Sequence, residues 1–295
     1  MNKITSVITT LFLSAGAWAQ ADSIHQAADS SVALISFNST RPYEARRAGS
    51  DEVFRIKARV DIPLTAATIG ATMWGFSKIY NKDRSTEAEI RALRVSDING
   101  FDRWAADLYS PKAADASDYI FYGSIPAPLL LLADKAVRKD AAKIGLLYLQ
   151  AMGITGVFYT GTNYLVDRYR PLTYNPEVPI GERTSGGSRN SFIGGHPALV
   201  ATATFFSAKV YSMYHPQSSL RHVLYGVAGV GTGLTAYLRH RAGKHFPSDL
   251  IAGTAIGTLS CILVPHFHKN VRNSNLSFAP YFGAGSGVAM VYHIK

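Results

Sequence analysis

Six long apolar segments, at about residues 61–80, 119–137, 143–166, 197–214, 222–238 and 249–267, recur along this 295-residue chain. Each is long enough for several helical turns, and almost no alternating strand pattern precedes residue 270. A helical bundle is the architecture that such a pattern allows. At ~1.5 Å per residue, a stretch of about twenty spans roughly 30 Å, which is the thickness of a bilayer's hydrocarbon core. Small residues recur in the last four segments, as in Gly226-Val227-Ala228-Gly229-Val230-Gly231 and Ala252-Gly253-Thr254-Ala255-Ile256-Gly257. They permit close helix approach within a membrane. The mean hydropathy of +0.04 is low for a wholly embedded chain, so a soluble or peripheral bundle is the competing expectation.

The chain ends read differently from its middle. Lys3, an apolar run from Ile4 to Trp18 and the small-residue site Ala17-Trp18-Ala19 predict a signal peptide over residues 1–19. Residues 20–60 are polar and basic, with Arg41, Arg46, Arg47, Arg55, Lys57 and Arg59, and read as an N-terminal arm. Residues 61–268 form the helical domain. Residues 269–295, with runs at Leu276–Phe282 and Val288–Ile294 about a Gly-rich turn, predict a C-terminal β-hairpin packed on the bundle. The lone Cys261 lies in an apolar stretch and reads as a small core residue, and one cysteine permits no internal disulfide. An excess of ten positive charges suits anionic lipids or phosphorylated substrates, and no nucleic-acid module is recognisable. His266 and His268 lack the acidic or cysteine neighbours of a metal site, so no metal and no cofactor is expected.

Chemistry concentrates in three segments, each at the edge of an apolar helix. In Arg239-His240-Arg241-Ala242-Gly243-Lys244-His245-Phe246-Pro247-Ser248-Asp249, a histidine follows an arginine by six residues and precedes a carboxylate by four. With a helix starting near Pro247, His245 and Asp249 would lie close together. An aspartate on one ring nitrogen would fix the tautomer and leave the other lone pair free for attack. Arg239 would offer a planar cation to phosphate oxygens. Upstream, Ile193-Gly194-Gly195-His196-Pro197 opens the helix Ala198–Tyr214, where backbone N–H groups can meet an anion and His196 can serve as a general acid. Earlier still, Asp167-Arg168-Tyr169-Arg170-Pro171 follows another apolar helix.

In these three segments the chain resembles the type 2 phosphatidic acid phosphatase superfamily, which also contains vanadium haloperoxidases and bacterial class A acid phosphatases. The resemblance covers roughly residues 60–268. Arg170-Pro171 match the end of the first motif, while Asn163 stands where that motif has lysine. Ile193-Gly194-Gly195-His196 stands for the usual Pro-Ser-Gly-His. Arg239, His245 and Asp249 match the third motif, with Leu238 replacing its serine. The resemblance implies a six-helix-type, membrane-associated all-α bundle. It also implies that His245 attacks phosphorus to form a phosphohistidine, that Asp249 orients it, and that His196 protonates the leaving oxygen and later activates water. Arg170, Arg239, Gly194, Gly195, Asn163 and Arg168 are expected at the phosphate. The departures all fall on phosphate ligands, and Arg168, Arg183, Arg189 and Lys244 are the nearby cations able to replace the lost charge.

The reading that follows is a metal-independent phosphatase of the bacterial cell envelope acting on a lipid phosphomonoester or diphosphate. A soluble periplasmic acid phosphatase for small phosphomonoesters is the alternative within enzymes. A non-catalytic lipid-phosphate-binding protein is the alternative outside them. Lys135, Arg138, Lys139 and Lys143 between the second and third segments favour a cytoplasmic loop, which puts the three motif segments on the periplasmic face. A cleaved signal peptide agrees with that orientation only if residues 61–80 do not cross, and Asp61, Pro63 and Lys78 suit an interfacial or packed helix there.

Overall fold

The computed structural model describes residues 52–270, together with the backbone of 276–281 and 287–292. The expected signal peptide and most of the N-terminal arm lie outside the described residues. The chain divides into two compact units, one comprising residues 53–269 and the other the two chain ends. The larger unit contains nine α-helices among its described residues: α1 (Ala58–Tyr80), α2 (Glu87–Ala92), α3 (Pro111–Ser124), α4 (Lys135–Arg138), α5 (Ala141–Val166), α6 (Ile180–Arg183), α7 (Gly195–Tyr214), α8 (Leu220–Arg241) and α9 (Pro247–Phe267).

The expected fold class therefore needs correcting. The segment 119–137 is not one helix, because α3 stops at Ser124 and a 3-10 stretch runs from Ala127 to Ala133. Pro126 and Pro128 cause the break, since each lacks an N–H and crowds the preceding turn. The six-helix count thus becomes five long helices plus α3 and three short ones. The bundle itself contains no β-strand. The antiparallel segments Leu276–Tyr281 and Gly287–Tyr292 fall in the other unit, so the hairpin expected with the bundle is not part of the helical fold.

Helix α7 is the hub, packing against α5, α8, α9 and α3, while α1 packs along α5. Ten of its twenty residues are buried, most of them small or β-branched, which explains why it shows no amphipathic stripe. One cluster, including Phe54, Leu147, Phe206, Val210 and Cys261, fills the core on the side of the bundle where α5 begins and α7 ends. Cys261 is wholly buried there. The closest helix approach is made by α9. A Cβ on Gly253 would stand 2.2 Å from the Gly194 carbonyl oxygen, and one on Gly257 would stand 2.0 Å from that of Ala198. Two of the small residues noted in the sequence, four positions apart, thus let α9 lie directly on the entry to α7.

Two segments, Ala141–Thr173 and Pro247–Phe267, are long and apolar enough to cross a membrane. Both present large apolar side chains outward, including Leu149 and Phe158 on the first and Ile251, Leu259 and Leu263 on the second. Helix α8 does the same with Val223, Val227, Val230 and Leu234.

Substituting Gly253→Ala forces α9 off the Gly194 backbone. The expected outcome is a loss of about 1–3 kcal/mol of stability, the usual cost of overpacking, read as a lowered unfolding midpoint; an unchanged midpoint would mean that this helix contact is loose.

Candidate active site

The three motif segments meet at one end of the bundle, where α5 ends, α7 begins, α8 ends and α9 begins. Backbone hydrogen bonds stitch them together. Leu172 N–H donates to the Gly243 carbonyl (2.9 Å), Ser191 N–H to that of Arg168 (3.1 Å) and Gly194 N–H to that of Asp249 (2.9 Å). Gly243 makes the turn out of α8 at φ +67°, and a Cβ there would meet the Leu108 carbonyl oxygen at 2.0 Å. Only glycine takes that backbone at so little cost.

His245 is 1% exposed. Its Nδ1 is bonded to the Ser191 carbonyl at 2.7 Å. A carbonyl only accepts, so Nδ1 carries the proton and Nε2 carries the lone pair. Burial, then Arg170 and Arg239, hold its pKa well below the ordinary imidazole range, so the ring is neutral. The aspartate expected on this ring is elsewhere. Asp249 accepts from Arg168 Nη1 (2.5 Å), Ser191 Oγ (2.6 Å) and the Phe246 N–H (2.8 Å), the last of these capping α9 behind Pro247. Its hold on His245 therefore runs through Ser191.

His196 sits in the first turn of α7 with Nε2 2.8 Å from Asp118 Oδ1, and its ring lies against Phe121 with centroids 4.5 Å apart. Burial, then Arg239 and Arg170, lower its pKa to about 3. Arg239 is buried and donates through Nη1 to Asp118 Oδ1 (3.1 Å) and Ser117 Oγ (3.3 Å), while its Nε has no partner among the described residues. Arg170 donates to the Asn190 carbonyl from Nε and Nη2, both at 3.3 Å. Burial, then Arg170, lower the Arg239 pKa to about 10. Two guanidiniums that disfavour each other's charge in a desolvated corner constitute a site that an anion relieves.

The other expected ligands fare unevenly. Gly194 has its N–H committed to Asp249, so the first-turn donors that α7 does not itself use are the amides of Gly195 and His196. Asn163 is buried with its amide nitrogen on the Tyr159 and Ile193 carbonyls, while its Oδ1 has no partner among the described residues. Its short side chain substitutes for no lysine charge. Arg168 gives both terminal nitrogens to Asp249, Asp102 and Ser248, and Arg189 pairs with Asp167. Arg183 donates to the Thr173 carbonyl. Lys244 pairs with Glu182 at 2.8 Å, and its pKa is lowered by burial and by both Arg170 and Arg239. Of the four candidate replacements, Lys244 is thus the one on which the charges of both Arg170 and Arg239 act.

Asp118 and Asp102 were not foreseen from the sequence. A single carboxylate opening the apolar run at 119 was the available signal for Asp118, and nothing in local pattern marked Asp102. Among the described residues no group of three or more His, Cys, Asp or Glu side chains could hold a metal ion.

Residues 144–273 match the model of the PAP2 superfamily. That segment carries Arg170, His196, Arg239, His245 and Asp249, and the protein is a hydrolase of the phosphatase type. The chain is also similar to the crystal structure of a transmembrane PAP2 type phosphatidylglycerolphosphate phosphatase from Bacillus subtilis. The identity is 21% and the TM-score 0.43, over 72% of this chain and 98% of that one. A search of curated proteins found no match.

Sulfate, which does not titrate near neutrality, probes the site cleanly. Its charge offsets the arginines that depress His196, so the imidazole pKa rises on binding and a proton is taken up. Calorimetry in two buffers of different ionisation enthalpy should show net proton uptake, with affinity rising as pH falls through the bound-state pKa toward the lower free-state value. Proton release, or no transfer, would contradict this electrostatic account of the site.

Proposed function

We propose that the protein hydrolyses a lipid phosphomonoester or diphosphate, without a metal, through a phosphohistidine on His245. The observation that carries this reading is the buried neutral imidazole with Nδ1–H held by the Ser191 carbonyl, which leaves a lone pair on Nε2 of a ring under the charge of Arg170 and Arg239. In the first step Nε2 forms a bond to phosphorus as the bond to the leaving oxygen breaks. His196, which takes up a proton when the substrate's negative charge offsets Arg170 and Arg239, gives that proton to the leaving oxygen. In the second step His196 takes a proton from water, which attacks phosphorus and releases inorganic phosphate and His245. Arg170, Arg239 and the amides of Gly195 and His196 stabilise the equatorial oxygens, a preorganised electrostatic contribution. For His196 to act through Nε2, Asp118 must yield that nitrogen. Asp118 is the more exposed partner, at 42% against 25% for the histidine side chain, and is the one able to swing away.

Two features support a lipid substrate and a membrane setting. The candidate spans α5 and α9 end or begin at the site, and α5, α8 and α9 expose apolar faces that water would not favour. Lys135, Arg138, Lys139 and Lys143 stand around the start of α5, whose 26 residues extend about 39 Å before the motif segments begin. A basic end opposite the site supports a periplasm-facing active site in the cell envelope.

Phosphate release should be measured on purified protein with an isoprenyl diphosphate, phosphatidate, lipid A phosphate and para-nitrophenyl phosphate. Release is expected from at least one lipid, abolished in His245→Ala and slowed by about 10²–10⁴ in His196→Ala. Full activity in His245→Ala would remove the phosphohistidine. Turnover of para-nitrophenyl phosphate alone would favour the small-substrate phosphatase, and no release from folded protein would favour a binding role.

A further inference from the structure

Arg168 lies in the first motif segment, yet the structure gives it no spare charge for phosphate. Nη1 donates to Asp249 Oδ1 and Ser248 Oγ, Nη2 donates to Asp102 Oδ2 at 2.8 Å, and the guanidinium carbon sits 4.3 Å from the centroid of the Phe246 ring. One cation between two carboxylates already carries a surplus of negative charge, so a third anion has no reason to join it. Asp102, 66 residues before Arg168, is wholly buried. It also accepts from Ser248 N–H (3.0 Å), Ser248 Oγ (2.6 Å) and Asn99 Nδ2 (2.8 Å). Burial alone would raise its pKa, but Arg168, Ser248 and Asn99 outweigh that and hold it below its ordinary value.

The consequence reaches His245 through Ser191, which is fully buried and gripped at three points. Its N–H donates to the Arg168 carbonyl, its Oγ donates to Asp249, and its carbonyl accepts from His245 Nδ1. Moving Arg168 shifts two of the three grips together. We propose that Asp102 and Arg168 are positioning residues for the nucleophile: with Asp249 they clamp Ser191, whose carbonyl sets the tautomer and direction of the His245 ring. This role rests on the phosphohistidine reading. It also makes the segment from Ile98 to Leu108, which lies outside the three motifs, a working part of the active site. Arg168 thereby leaves the phosphate-ligand set and Asp102 enters the positioning set.

The test uses the full chain and the variants Asp102→Asn, Arg168→Gln and their combination, with Arg168→Lys to retain charge where a variant fails to fold. Two quantities are read: kcat and KM on whichever substrate the wild type turns over, and the His245 tautomer by nitrogen-15 NMR, assigned by difference against His245→Gln. Each single variant should lower kcat by about tenfold or more with KM little changed, and the double variant should be no slower than the worse single one. The Nδ1-protonated signature of His245 should weaken in each. Unchanged kcat and tautomer in folded single variants, or a loss confined to the unfolding midpoint, would overturn the proposal. If the wild type hydrolyses nothing, the catalytic reading fails while the NMR comparison still decides the positioning role.

Discussion

Everything at the motif end of the bundle depends on one buried carboxylate. Asp249 accepts from a guanidinium, a hydroxyl and a backbone N–H, and these three partners belong to the three chain segments that must meet. A buried charge is tolerable only when its hydrogen-bonding capacity is filled. That requirement locks the segments together, because pulling any one away strands the charge. The Gly194 N–H bond to the Asp249 backbone adds a fourth tie from the same residue.

The site built on that anchor separates two kinds of positive charge. Arg168 is consumed by carboxylates and shapes the loops. Among the described residues Arg170 and Arg239 are left without an equal counter-charge, Arg239 sharing the partly exposed Asp118 with His196. This division gives rigidity behind the histidines and unmet charge in front of them, the arrangement expected of a preorganised anion site. Asp118 touches both His196 and Arg239, so an incoming anion competes with it for the same donors.

Helix packing supplies the frame. Gly253 and Gly257 bring α9 onto the backbone at the start of α7, which sets His196 and Asp249 at neighbouring helix entries. Proline at the head of α9 and the Asp249 cap define where that helix starts, so local sequence chemistry and the tertiary anchor coincide in one residue.

Much of this was legible in the residue pattern. The apolar segments at 61–80, 143–166, 197–214, 222–238 and 249–267 all lie within long helices, because helical hydrophobic runs bounded by Gly, Pro and charge are local signals. The one segment misread as a single helix, 119–137, carried its own warning in Pro126 and Pro128. Motif spacing likewise pointed to His245, His196, Arg170 and Arg239, which tertiary structure gathers at one end. What sequence spacing could not decide was who bonds to whom. A four-residue interval suggested that Asp249 holds His245 directly, yet the imidazole turns to the Ser191 carbonyl and the carboxylate to Arg168. Asp102 and Asp118 enter from segments with no distinctive pattern. Partners such as these are chosen by the need to satisfy every buried donor and acceptor at once, and that need exists only after distant segments have been packed together.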